Sequence, residues 1–311
     1  MKTSPLALVL ALGLLLGLST LACGVLPRLL DEPSPTPSPA ALEQTLAALQ
    51  TQISTLQSTS AIQSPTVEPE PVLSPETSPL PTLSGIQVAL GPLELVIPET
   101  LASQVDVEQV EAVDESTAYG LWEVAPTHWR ARLWNYPVIE HIYEPWLYVY
   151  PAQDYAAMNE FAADTLTTLH QILRRPILPR YPEDLPHPVF AFDAARVLAA
   201  SVQRLDFDGG RGLRALTCYA QNATPVENDM LLYEFQGLSQ DEQWYILAVL
   251  PLNQPILPDA GVGVPDLNDP NADWLGYYQQ VTAALEHQPP HSFIPDLRLL
   301  DAMLSSMRLT R

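Results

Sequence analysis

The sequence predicts an α+β domain: an antiparallel sheet, running as a meander through its C-terminal half, with helices packed on one face. A disordered Pro/Ser/Thr-rich tether precedes it. Three observations predict this. The proline-dense composition of the early chain gives way near residue 84 to patterned apolar segments. Between Val197 and Leu250, four segments of β-favouring residues are joined by links too short for parallel neighbours, whose return would need a dozen residues or more. Helix-period apolar stripes stand before and after that block.

The 311-residue chain begins with a short cationic stretch, Met1 to Ser4 with Lys2, and then an uncharged run from Pro5 to Leu18. Length and flanks are those of a signal peptide and fall short of a comfortable bilayer span. The run closes on Ser19-Thr20-Leu21-Ala22-Cys23. These residues resemble the lipobox of bacterial lipoproteins, with Thr20 departing from the leucine commonest at that position. The resemblance implies cleavage after residue 22, a lipid thioether on Cys23, and attachment to the extracytoplasmic face of a membrane. Each buried acyl CH2 contributes about 0.8 kcal/mol, so two or three chains hold stably. Gly24 rather than Asp follows, which in a two-membrane bacterium implies onward sorting to the outer membrane.

Residues 23–84 form the expected tether, with blocks such as Pro33 to Pro39 that favour extended, polyproline-like chain. Within it, residues 40–60 carry Leu42, Leu46, Leu49, Ile53 and Leu56 at alternating spacings of four and three. That is a heptad seam, though shorter than the three or four heptads that establish a coiled coil. A weak homo-oligomer through residues 40–60 and a marginal unpaired helix both remain open.

Residues 85–311 are expected to form a single globular extracytoplasmic domain. Ile86 to Ile97 reads as a strand pair or one bent strand, with a turn near Gly91-Pro92, and Arg130 to Trp134 and Trp146 to Tyr150 alternate as strands. From Asp154 to Leu173 the period changes to that of one amphipathic helix. After a proline-punctuated loop come strands at Val197–Phe207, Leu213–Gln221, Met230–Phe235 and Trp244–Leu250. Two helices follow, Ala272–Glu286 with Asn271 or Asp273 as N-cap, and Asp296–Met307 with a stripe of Leu297, Leu300, Met303, Leu304 and Met307. The runs Leu231 to Leu238, Trp244 to Leu247 and Leu300 to Ser306 resemble the PsbP-like fold, an antiparallel sheet with helices on its face and a closing C-terminal helix. That resemblance implies a fold and no particular activity.

Thirty-six acidic residues against 14 basic ones leave a formal net charge of -22. Such a field repels nucleic acid and gives no basic patch for anionic lipid, so membrane attachment falls to the lipid. So many carboxylates invite metal binding. Asp206-Phe207-Asp208-Gly209-Gly210 opens like a calcium loop but places Gly210 and Thr217 where ligands are needed, and reads as a turn. Asp269, Asn271 and Asp273 alternate, but Trp274 takes the place of the turn glycine; a helix-capping loop explains them. His287 and His291 are separated by Pro289-Pro290, which precludes a helical zinc pair. No metal or cofactor is assigned.

Cys218 lies in an expected strand without a second thiol in the mature domain and reads as a core residue. A carboxylate pair such as Glu140 and Glu144 can be nominated for hydrolysis, with nothing to single it out. No catalytic residue is assigned. The positive signal is aromatic: Trp122, Trp129, Trp134, Tyr136, Tyr143, Trp146, Tyr148 and Tyr150 crowd together, either as strand core or as a binding surface. The expectation is a lipid-anchored, non-enzymatic binding domain at the cell envelope with an envelope protein or glycan as partner. An extracytoplasmic hydrolase and an envelope scaffold are the alternatives.

Overall fold

The computed structural model describes residues 83–138, 140–191, 193–257, 264–267, 269 and 271–310. The expected signal peptide with Cys23, the heptad run at 40–60 and nearly all of the expected tether lie outside the described residues. Among the described residues stand two antiparallel sheets and four α-helices, the α+β class expected.

The strands are β1 (Gly85–Leu90), β2 (Leu93–Pro98), β3 (Gln104–Val110), β4 (His128–Trp134), β5 (Trp146–Pro151), β6 (Ala195–Phe207), β7 (Gly210–Ala220), β8 (Leu232–Ser239), β9 (Trp244–Pro251) and β10 (Arg308–Leu309). The helices are α1 (Ala152–Met158), α2 (Glu160–Arg174), α3 (Trp274–Glu286) and α4 (Leu297–Ser305). A seven-stranded sheet runs β3-β4-β5-β9-β8-β7-β6, and a three-stranded one runs β1-β2-β10. The expected meander is β6 through β9, each strand pairing antiparallel with the next.

Alternate residues of the central strands feed two cores. Leu198, Leu216, Cys218, Tyr233, Phe235, Ile246 and Ala248 face the small sheet, α3 and α4. Leu213, Ala215, Tyr219, Tyr245 and Leu247 face α1 and α2. Helices therefore cover the sheet on both faces rather than on one, which is why β7, β8 and β9 are buried almost throughout.

The single helix expected over Asp154–Leu173 is two helices broken at Asn159. Its backbone is extended, at φ -138° and ψ 116°. The side chain explains the break. Oδ1 accepts from Ala162 N at 3.2 Å as the N-cap of α2, while Nδ2 donates to Leu121 O and Val124 O at 2.8 and 3.0 Å. Asp273 is the N-cap of α3, accepting from Gly276 N, and Asp296 serves α4 likewise. The expected stripe of α4 is buried in full, with Met307 just beyond its end.

Two buried charge clusters clamp these layers. Asp301 of α4 receives Arg214 Nε and Nη2 at 3.1 and 3.0 Å, Tyr233 Oη at 2.7 Å and Gln203 Nε2 at 2.9 Å. On the other face Glu234 accepts from Tyr219 Oη at 2.5 Å, Thr217 Oγ1 at 3.1 Å and Gln236 Nε2 at 2.6 Å, with Arg196 Nη2 at 3.4 Å. Arg196 also donates to the carbonyls of Pro182, Leu185 and Pro186, fixing the proline-punctuated loop against the sheet.

Candidate functional site: an arginine and aromatic sheet face

The β3-β4-β5 end of the large sheet extends beyond the reach of α2. Strand alternation puts His128, Arg130, Arg132 and Trp134 of β4 on one face, and Trp146, Tyr148 and Tyr150 of β5 beside them. Cross-strand register sets them in rows. Asp106, Arg132 and Trp146 stand opposite one another, as do Glu108, Arg130 and Tyr148. His128 stacks on Tyr150 with ring centres 4.5 Å apart, and Tyr150 stacks on Tyr155 of α1 at 4.4 Å.

Burial grades along this face. Tyr150 is buried beneath α1, Tyr148 and Trp146 are half-buried, and Trp134 is exposed. The guanidinium carbon of Arg132 lies 3.9 Å over the Trp134 ring, and that of Arg130 lies 4.7 Å over Trp146. Carboxylates hold the outer edges of both cations: Glu108 meets Arg130 Nε at 2.6 Å and Glu144 meets Arg132 Nη2. Asp106 accepts from the Trp134 indole at 2.6 Å and from Gln104 Nε2 at 2.7 Å. Those hydrogen bonds, led by the one from Gln104, hold the Asp106 carboxyl below its ordinary range.

Stacked guanidinium, indole and phenol groups on paired strands keep few rotamers. They offer a broad, pre-ordered surface that loses little entropy on contact with a partner.

The aromatic crowding seen in sequence divides between core and surface. Trp129 points to the opposite face and packs edge-on to Trp244 at 5.7 Å. Tyr136 is buried with its hydroxyl on Pro251 O at 3.1 Å, and Tyr143 sits edge-on to Phe190 at 5.6 Å. Trp134, Trp146 and Tyr148 join the accessible part of the arginine face, and Tyr150 lies buried at its inner end. The arginines themselves were missed as site residues, although the alternation in His128-Trp129-Arg130-Ala131-Arg132-Leu133-Trp134 already places them with Trp134.

The other sequence candidates are dispersed. Cys218 is fully buried, and burial pushes its thiol up to about 12. Asp206 and Phe207 end β6 and pair with Arg211 and Gly210 of β7, with Asp208 and Gly209 as the turn and Gly209 at φ +88°. Asp269 accepts from Asn271 N, and Asp273 caps α3. His287 closes α3 on Ala283 O, while His291 belongs to a separate 3-10 turn. Glu140 occupies the β4-β5 connection, and Glu144 is held by Arg132. Among the described residues no group of His, Cys, Asp and Glu could hold a metal ion, and no helix is long and apolar enough to cross a membrane.

No known family model, curated protein or solved structure matches the chain.

Proposed function

We propose that this chain is a lipid-anchored extracytoplasmic protein whose domain binds another envelope protein through the arginine and aromatic face of β4 and β5. The observation that carries the reading is the half-exposed row of Arg130, Arg132, Trp134, Trp146 and Tyr148 on rigid strands. Trp, Tyr and Arg are the residues that dominate binding energy at protein interfaces, where a rim of polar groups surrounds them. Glu108 and Glu144 occupy the place of that rim. A protein fits this face better than a glycan does, because sugars stack on open ring faces and Arg132 and Arg130 already lie over two of the indoles.

The anchor belongs to the same proposal. The pattern ending in Cys23 supplies the lipid, and the Pro/Ser/Thr-rich residues 23–84 supply the distance from it. If residues 40–60 pair through their heptad seam, several copies of the face are presented together, and avidity rises without a new contact.

The test retains the full chain on beads and compares it with Trp146→Ala and Arg132→Ala variants against detergent-solubilised envelope proteins and a glycan panel. The expected result is a discrete protein whose retention falls at least tenfold in both variants. Retention that neither substitution weakens, or binding of glycans alone, overturns the reading.

A further inference from the structure

A second site is built at the far end of the large sheet. Two hairpin turns, β6-β7 and β8-β9, meet the C-terminal end of α2 around a cavity of about 440 Å³. Its apolar floor is Leu173, Phe207 and Leu238; its rim carries His170, Arg174, Asp206, Arg211 and Glu242. The volume lies within the range of small-molecule sites, roughly 300 to 1,000 Å³.

The charges stand in two mixed-sign groups. Glu242 Oε1 accepts from Arg174 Nη2 at 3.3 Å and lies 3.0 Å from His170 Nδ1. Across the cavity rim Arg211 Nε stands 3.9 Å from Asp206 Oδ1, beyond hydrogen-bond distance, which leaves guanidinium donors available to a ligand. Glu242 holds its position at a backbone cost. Its φ is +58°, a conformation that favours Gly or Asn, set by the β8-β9 turn in which its N–H donates to Ser239 O at 2.9 Å.

We infer that this cavity binds a small zwitterion with free amino and carboxyl termini, an amino acid or a dipeptide. The carboxylate would lie on Arg211 and the ammonium on Glu242, with the side chains over the apolar floor. Two guanidiniums balance two carboxylates on the rim. A simple anion would meet the field of a chain of net charge -22, and a simple cation would leave the Arg211 guanidinium without a counter-charge from the ligand. A molecule carrying both signs satisfies both ends.

Calorimetry of the full chain with L-alanyl-L-alanine tests the inference, alongside its N-acetylated form, which lacks the ammonium, and its C-terminal amide, which lacks the carboxylate. The free dipeptide should bind saturably, each blocked form at least tenfold more weakly. Arg211→Gln should lose at least tenfold in affinity. Glu242→Gly separates binding from folding: the backbone accepts glycine, so thermal stability should hold while dipeptide affinity falls at least tenfold. Absence of saturable binding overturns the inference. So does equal binding of the blocked forms, or full affinity in Glu242→Gly and Arg211→Gln.

Discussion

Arg132 lies flat over Trp134, its guanidinium carbon 3.9 Å from the ring centre, while the same guanidinium meets the carboxylate of Glu144. The pair gives the outer face of β4 a planar, charged and aromatic skin. At this partial exposure the stack contributes about 0.5 to 1 kcal/mol. Arg132→Ala should therefore lower folding stability by no more than about 1 kcal/mol in urea denaturation. A loss of several kcal/mol would show that the face serves folding rather than contact.

The buried pair on the opposite face behaves differently. Asp301→Asn keeps the shape of the side chain but leaves the Arg214 guanidinium buried without its counter-charge. Breaking a buried pair in this way costs about 3 to 5 kcal/mol. Denaturant midpoints should fall accordingly, and a cost below about 1 kcal/mol would mean that water reaches the cluster.

Burial holds the imidazoles of His128, His141 and His187 below their ordinary range. A group whose folded pKa is depressed contributes its full stability above the unfolded value, about 6.5, and loses it as pH falls toward the folded one. Unperturbed carboxylates titrate at about 4, roughly two units below this window. The urea midpoint should therefore fall steadily from pH 7.5 to 5.5, and a midpoint that rises over that interval contradicts the assignment.

Cys218 should be unreactive in the native chain, because its thiol is buried and pushed up to about 12. A chromogenic disulfide reagent at pH 8 should register no thiol before unfolding. After denaturation in guanidinium it should register one, because the only other cysteine, Cys23, carries lipid under the proposed anchor. Two thiols after unfolding would contradict the anchor.

Much of the fold was legible in the sequence, for identifiable reasons. Links such as Asp208-Gly209-Gly210 leave room only for an antiparallel neighbour, and the stripe Leu297, Leu300, Met303, Leu304 has one packing solution. Asn159 was hidden because it interrupts the backbone without disturbing the apolar spacing on either side. β3 was missed because Gln104 to Val110 alternates valine with acids and amides, an exposed edge strand whose charges guard against pairing with another chain.

The candidate site was half legible. The aromatics were visible, but a single sequence does not show that Trp146 meets Arg132 across β4 and β5 while Trp129 turns away. Arg214 and Glu234 could have been suspected from charges at inward positions of buried strands. Their partners come from distant segments.

The central claim is that the β4-β5 face is the binding surface of a membrane-tethered domain, and site-specific photo-crosslinking in intact cells tests it most directly. A photoreactive phenylalanine analogue is placed at position 108, where Glu108 stands on the rim of that face, or at position 275, where Leu275 is exposed on α3 across the sheet. The account predicts a discrete adduct with one envelope protein from position 108, none from position 275, and loss of the adduct when Cys23→Ser releases the chain from the membrane. Adducts from position 275 alone, or from neither position, would contradict it.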